Sequence, residues 1–304
     1  MLRYYLAAGA LKAFSANNLT KKFYRTLGNS FGAKKRVQNG LSDIYLHRAK
    51  DMIAKCRQFN VLKPGDKILE LGTGWVHWES IVLRLFVDVE PYLFDVWDNR
   101  QLPAMKQYFT QFEQRIGTVM SVTDAEKKRI RDLVGKIQSA ESFEDVYKSL
   151  DAKYVLHPEG SLLGLPQNTF SLVCSVSVLE HVPRHALKSS IEGSFGVLKP
   201  GGYAIHMTDL GDHLTLYDPS MEYNKNYLQY SDTTWKLFLE NDVQYFNRVQ
   251  PAEFRKYFDD AGFTLVEEIA EPIDLKGTKI SKSFADYERR DLEVLTLKTV
   301  HKKL

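Results

Sequence analysis

Between residues 67 and 208 the chain alternates short apolar, β-branched runs with helix-forming stretches, and this alternation limits its fold more than any other feature. The runs are Lys67–Leu71, "PYLFDVWD" from Pro91, "TFSLVCSVSVL" from Thr169 and "GYAIHMT" from Gly202. Turn signals punctuate them: "KPGD" precedes the first, and "LKPGG" ends a helix just before the last. Strands that alternate with helices predict an α/β protein with a mostly parallel, doubly wound sheet. Two closing runs, "FTLVEEIAEPIDL" and "LEVLTLKTV", follow the helix "PAEFRKYFDDAG" and supply an antiparallel edge.

The flanking regions differ. Residues 1–60 read as helices that form an N-terminal cap; Met52, Ile53, Cys56 and Phe59 fall near one face at helical spacing. Residues 61–304 form the main domain, with a polar helical insertion over 100–150. The net charge is only +3, from 41 basic and 38 acidic residues, which argues against a nucleic-acid partner. The clusters "AKKRV" and "EKKRIR" read as solvated helix faces. The two cysteines, Cys56 and Cys174, have neither metal-ligand spacing nor the numbers for a disulfide scaffold, and a reducing cytoplasm fits them. Cys174, inside an apolar run, reads as core. No apolar run approaches the ~20 residues of a membrane span. Lys12 interrupts the apolar N-terminal stretch, which is expected to lie on a membrane surface or over the protein's own pocket.

The first strand breaks into "GTGWVHWES". Ligands of such sheets bind beyond the carboxyl ends of the strands, where this loop sits. Gly72 and Gly74 permit unusual dihedrals and close backbone approach, but His77 stands where the dinucleotide fingerprint has its third glycine. A pyrophosphate is therefore poorly supported. Glu70, before the loop, would repel a phosphate and attract an ammonium group. Asp95 follows Gly72 by 23 residues at the end of the second strand, where an acid accepts hydrogen bonds from ribose hydroxyls. The ligand expected is a nucleoside with a cationic amino-acid tail and no phosphate, a description that S-adenosylmethionine meets. Trp75 and Trp97 offer aromatic faces, and Trp78 reads as core.

In order, "ILELGTG", "LFDVWD", "LPQNTFSLVCSVSVLEHVP" and "SFGVLKPGGYAIHM" resemble the successive motifs of class I S-adenosylmethionine-dependent methyltransferases of the type that carries "LEHV". The resemblance covers residues 66–208. It implies a seven-stranded, Rossmann-like sheet and S-adenosylmethionine as cofactor. It places Glu70, Gly72, Thr73 and Gly74 at the methionine end, Asp95 and Val96 at the ribose, Ser161 and Leu162 at the adenine, and Ser175 beside the methionine part. Three departures stand out: Val76 replaces a common motif glycine, Ser161 takes the usual acidic adenine position with Glu159 two residues away, and Ser171 replaces a common Asp.

Methyl transfer from a sulfonium needs alignment and, for a hydroxyl acceptor, a base. His181 in "LEHV" is the leading candidate, with Glu180 orienting it. "IHMTDLGDH" adds His206, Asp209, Asp212 and His213, either as a polar acceptor pocket with a second base or, for His206, Asp209 and His213, as ligands of a divalent ion. The polar pocket is preferred, and no metal is assigned. Residues 210–250 are rich in Tyr, Trp, Asp and Asn; they read as an acceptor-side lid suited to a polyhydroxylated or ring-bearing molecule, and are similar to a segment of bacterial polysaccharide-associated methyltransferases. The leading expectation is O-methylation of a small-molecule or saccharide hydroxyl. The alternatives are N- or C-methylation of another metabolite, a non-catalytic S-adenosylmethionine-binding protein, and a nicotinamide-dependent oxidoreductase.

Overall fold

The computed structural model describes residues 1–275 and 277–304. Three helices come first: α1 (Leu2–Phe14), α2 (Asn18–Asn39) and α3 (Asp43–Gln58). Then follow β1 (Lys67–Leu71), α4 (Trp78–Phe86), β2 (Glu90–Asp95), α5 (Leu102–Val119), α6 (Asp124–Ser139), α7 (Phe143–Leu150) and β3 (Lys153–Leu156). The second half holds β4 (Phe170–Val176), α8 (Arg184–Val197), β5 (Leu198–Asp209), α9 (Asp232–Thr234), α10 (Pro251–Asp260), β6 (Thr264–Pro272), α11 (Arg289–Leu292) and β7 (Val294–Lys302).

The strands form one seven-stranded sheet in the order β3-β2-β1-β4-β5-β7-β6. β1 pairs in parallel with β2 and β4, and β2 in parallel with β3. β7 runs against β5: Gly201 bonds to Lys303, whereas Leu210 bonds to Leu295, so the pairing descends one strand as it climbs the other. The expected doubly wound sheet with an antiparallel edge is the observed one. β3 is an addition to the sequence reading. It is a four-residue edge strand whose side chains are exposed or half-buried, so it carries no apolar alternation to find.

Local chemistry explains the helix boundaries. α6 and α7 each start with a capping box, Thr123 with Glu126 and Ser142 with Asp145. Pro103 and Pro251 open α5 and α10, where a missing N–H costs nothing. Residues 210–250, without periodicity in sequence, form short turns, and α9 runs into a π-helical turn at Trp235–Leu239.

The chain divides into two compact units. One comprises 1–28, 176–192 and 206–301; its core sets Tyr4, Ala8 and Leu11 of α1 with Leu214, Tyr227, Trp235, Phe246 and Phe284. The other comprises 29–175, 193–205 and 302–304, and buries most of β1, β2 and β4. Trp78 is core there, as expected: its ring lies 5.1 Å from Phe109 and edge-on to Phe112 at 5.4 Å. Cys56 and Cys174 are free thiols buried in this second unit. Among the described residues, no helix is long and apolar enough to cross a membrane.

Candidate functional site: a glycine loop and a histidine array

The glycine loop belongs to the unit built on 29–175. Gly72 and Gly74 have φ of 63° and 61°, left-handed values that suit glycine. A Cβ on Gly74 would meet nothing closer than the Gly72 carbonyl oxygen at 3.8 Å, so conformation rather than crowding selects this residue. Asp95 ties the loop to the end of β2. Its Oδ2 accepts the Gly74 N–H at 2.8 Å, and its Oδ1 accepts from Val96 and Trp97 at 2.7 and 3.2 Å. Burial raises the Asp95 pKa, and these backbone donors offset part of that effect.

The segment expected at the adenine lies against the same acid. The His157 N–H bonds to the Asp95 carbonyl at 2.9 Å, and Gly160 comes close enough to Val96 that an added Cβ would sit 3.5 Å from its side chain. Ser161 donates its N–H to His157 Nδ1 at 3.4 Å, while Leu162 is buried against Gly193. The structure thus links Ser161 to Asp95 through His157 and sets Gly160 beside Val96, while Leu162 packs towards Gly193. Ser175, at the end of β4, is fully buried.

Glu70 and His77 sit below the loop surface. Glu70 is 2% exposed and accepts the Ser80 N–H of α4 at 2.8 Å. Burial and the nearby Glu79 push its pKa up, so the carboxyl is held in its neutral form more readily than an exposed one. Glu79 is itself paired with Arg48. His77, with φ of 52°, is fully buried; its Nδ1 meets Thr73 Oγ1 at 2.8 Å and its Nε2 meets the Tyr147 hydroxyl at 2.9 Å. Burial, then the Arg100 cation, push its pKa down to about 3. This histidine is a neutral strut between the loop and α7.

The other candidates fall in the unit built on 206–301. His181 Nδ1 lies 2.7 Å from the Tyr245 backbone oxygen. A carbonyl oxygen only accepts, so Nδ1 carries the proton and Nε2 is left with a bare lone pair. Burial, then His213, push the His181 pKa down to about 4. The His213 ring is 4.9 Å from His181, and its Nε2 is 3.6 Å from Asp209 Oδ2. Asp209 is anchored by the Tyr223 hydroxyl at 2.6 Å and the Gly211 N–H at 2.9 Å. His213 also walls a small pocket with Tyr217, Trp235, Asn241, Gln244 and Phe246. Trp235 is 4% exposed, and among the described residues its indole N–H meets no hydrogen-bond acceptor.

His206 does not join this array. It packs beside Phe258, on which His301 stacks at 3.9 Å. Residues three apart on a strand point to opposite faces, so His206 and Asp209 of β5 diverge. The divalent-ion grouping considered from sequence, His206 with Asp209 and His213, is therefore replaced. Among the described residues, Glu180, His181 and His213 have donor atoms that lie within 4.8 Å of one another. Tyr223, Tyr245 and Trp235 were not foreseen, because nothing local in sequence marks a residue that reaches a histidine from another turn.

A model of the methyltransferase domain matches residues 45–268, well over half of the chain. The chain belongs to that methyltransferase family. Its cofactor is S-adenosylmethionine. No curated protein matches the chain significantly. Solved structures similar to this methyltransferase include a complex of the Haloferax volcanii Trm112 methyltransferase activator with a methyltransferase, at 17% identity, TM-score 0.48, and coverage of 90% of this chain and 96% of that chain. A Methanosarcina mazei S-adenosylmethionine-dependent methyltransferase shares 16% identity, with TM-score 0.44 and coverage of 81% and 95%. The Haemonchus contortus phosphoethanolamine N-methyltransferase 2, solved with S-adenosylmethionine, shares 11%, with TM-score 0.46 and coverage of 84% and 52%.

The donor set of the loop suits a nucleoside without phosphates. It offers glycine backbone and a carboxylate, and the nearby cations are engaged: Arg36 lies 3.3 Å over the Trp75 ring, Arg48 pairs with Glu79, and Arg100 pairs with Asp98.

Proposed function

We propose that this methyltransferase methylates a hydroxyl oxygen of a small polyhydroxylated acceptor, a saccharide or glycan end first among them, with histidine receiving the proton. The observation that carries the reading is the row Asp209–His213–His181 in one unit, with His213 also walling a pocket of aromatic and amide side chains. Aromatic faces and amides suit a sugar ring and its hydroxyls, and the Trp235 N–H meets no acceptor among the described residues.

In this reading Gly72, Thr73, Gly74 and Ser175 hold the methionine part of the cofactor, Asp95 and Val96 the ribose, and Ser161 and Leu162 the adenine. Glu70 acts from beneath, by fixing α4 against the loop. S-adenosylmethionine supplies a methyl group already activated as a sulfonium. The protein's share is alignment and proton removal. His181, neutral and with Nε2 bare, accepts the hydrogen bond of the acceptor hydroxyl. His181 then takes the hydroxyl proton on Nε2, and the Asp209 carboxylate, beside His213, favours the positive charge that forms there. Positioned base catalysis of this kind is worth about 10²–10⁴ in rate. His206 is assigned to packing.

The test is transfer of labelled methyl to a panel of glycosides, alcohols and amines by the native chain and by His181→Ala, His213→Ala and Asp209→Asn. Stabilisation by S-adenosylhomocysteine should stay near ~2.7 kcal/mol at about 100 times Kd in all of them, while kcat with a glycoside falls by about 10²–10⁴ in the histidine variants. Transfer to amines alone, or undiminished turnover in all three, would overturn the reading. Chelation with EDTA should leave turnover unchanged; a loss restored by Mg²⁺ or Mn²⁺ would instead assign proton removal to an ion held by Glu180, His181 and His213.

A further inference from the structure

The net charge of +3 hides an uneven distribution. Residues 1–42 contain eight Lys and Arg and no Asp or Glu, so residues 43–304 hold 33 bases against 38 acids. Most of that basic segment is α1 and α2. α2, 22 residues long, has no buried residue. Leu19, Phe23, Leu27 and Phe31 recur along it every four residues, and are 78%, 56%, 36% and 71% exposed. Lys22, Lys34 and Lys35 are exposed on the same helix. Lys21 and Arg36 are engaged elsewhere, the first with Asp242 at 2.5 Å and the second over Trp75 at 3.3 Å. α1 turns Tyr4, Ala8 and Leu11 into the core and leaves Leu2, Tyr5 and Leu6 exposed on its opposite face.

Helices draw most of their stability from burying an apolar face, and α2 has no fully buried residue; its Tyr24 is partly buried against the core, with its ring 5.3 Å from Phe14. Its exposed row of Leu and Phe, bordered by lysines and free of acids, is complementary to a surface with an apolar interior and negative headgroups. A nucleic acid would satisfy the lysines and leave the row in water. We propose that α2, together with the exposed face of α1, docks on an anionic lipid bilayer. This goes beyond the methyl-transfer reading and does not depend on the acceptor.

The experiment is flotation of the full chain with phosphatidylglycerol–phosphatidylcholine vesicles and with pure phosphatidylcholine vesicles, with amide exchange measured over residues 18–39. The chain should float with the anionic vesicles, more weakly as salt rises, and α2 amides should become protected. A triple variant, Lys22→Glu, Lys34→Glu and Lys35→Glu, should weaken partitioning by about a hundredfold, since each lysine near the surface is worth about fivefold. A second variant, Leu27→Ser with Phe31→Ser, should also lose binding. Both should keep the stabilisation by S-adenosylhomocysteine, which checks folding. Absence of flotation, equal binding to neutral vesicles, or capture by RNA that Leu27→Ser with Phe31→Ser leaves unchanged would each overturn the proposal.

Discussion

His77 shows how one residue can break a motif and keep its geometry. A left-handed conformation costs a non-glycine residue roughly 1–2 kcal/mol, which glycine avoids. The imidazole repays this with bonds to Thr73 and Tyr147 and with complete burial. His77→Gly should therefore destabilise: two hydrogen bonds at about 1 kcal/mol each, plus a cavity, outweigh the relief of strain. Urea unfolding should register a net loss of about 1–3 kcal/mol, and a gain would refute this accounting. Glu70 gives a paired test. Since its pKa is raised, Glu70→Gln should keep the Ser80 bond and the stability of the native chain, whereas Glu70→Ala, which orphans a buried N–H, should cost about 1–3 kcal/mol. Sequence located both residues at the loop but not their direction. Whether a carboxylate meets ligand or helix depends on what closes over it, and that lies many residues away.

At the scale of elements, α1 is held by one stripe. Tyr4, Ala8 and Leu11 follow helical spacing into the core, and the Tyr4 hydroxyl donates to Asp212 Oδ2 at 2.9 Å. Asp212 is buried, and burial pushes its pKa up to about 6 despite the bond from Tyr4. Tyr4→Phe removes that bond and leaves a buried carboxyl short of a donor, so unfolding free energy should drop by about 1–3 kcal/mol at pH 7. A change below a few tenths would mean that Asp212 finds another partner. The strands that carry the fold were legible because β1, β2 and β4 are buried on both faces and read as unbroken apolar runs. β3 was not, being exposed and short. The array on β5 was half legible: strand alternation alone separates His206 from Asp209, while the approach of His181 to His213 depends on a long-range return of the chain.

For the whole molecule, four of the eight histidines are held neutral, chiefly by burial. The pKa of His77 and of His206 is pushed down to about 3, and that of His181 and of His301 to about 4. Each takes up a proton on unfolding below its ordinary value, so its contribution is complete above pH ~6.5 and is lost as the pH falls through the native value. The slope is ~1.4 kcal/mol per pH unit for each histidine. Glu70, Asp95 and Asp212, with raised values, oppose this over the upper acid range, because their stability is lost as pH rises. The balance keeps the sign of the histidines, so the urea midpoint should fall between pH 7 and pH 5. His301→Phe, which retains the stack on Phe258, should flatten that fall; an unchanged slope would show that His301 is not held neutral. The thiols offer a different use. Burial pushes Cys56 up to about 12 and raises Cys174 as well, and both belong to the unit built on 29–175, while the unit built on 206–301 has none. A maleimide added to the native chain thus keeps time for one unit alone: its labelling rate counts the openings of that unit, and comparison with exchange in the thiol-free unit reports whether the two come apart in one event or in two.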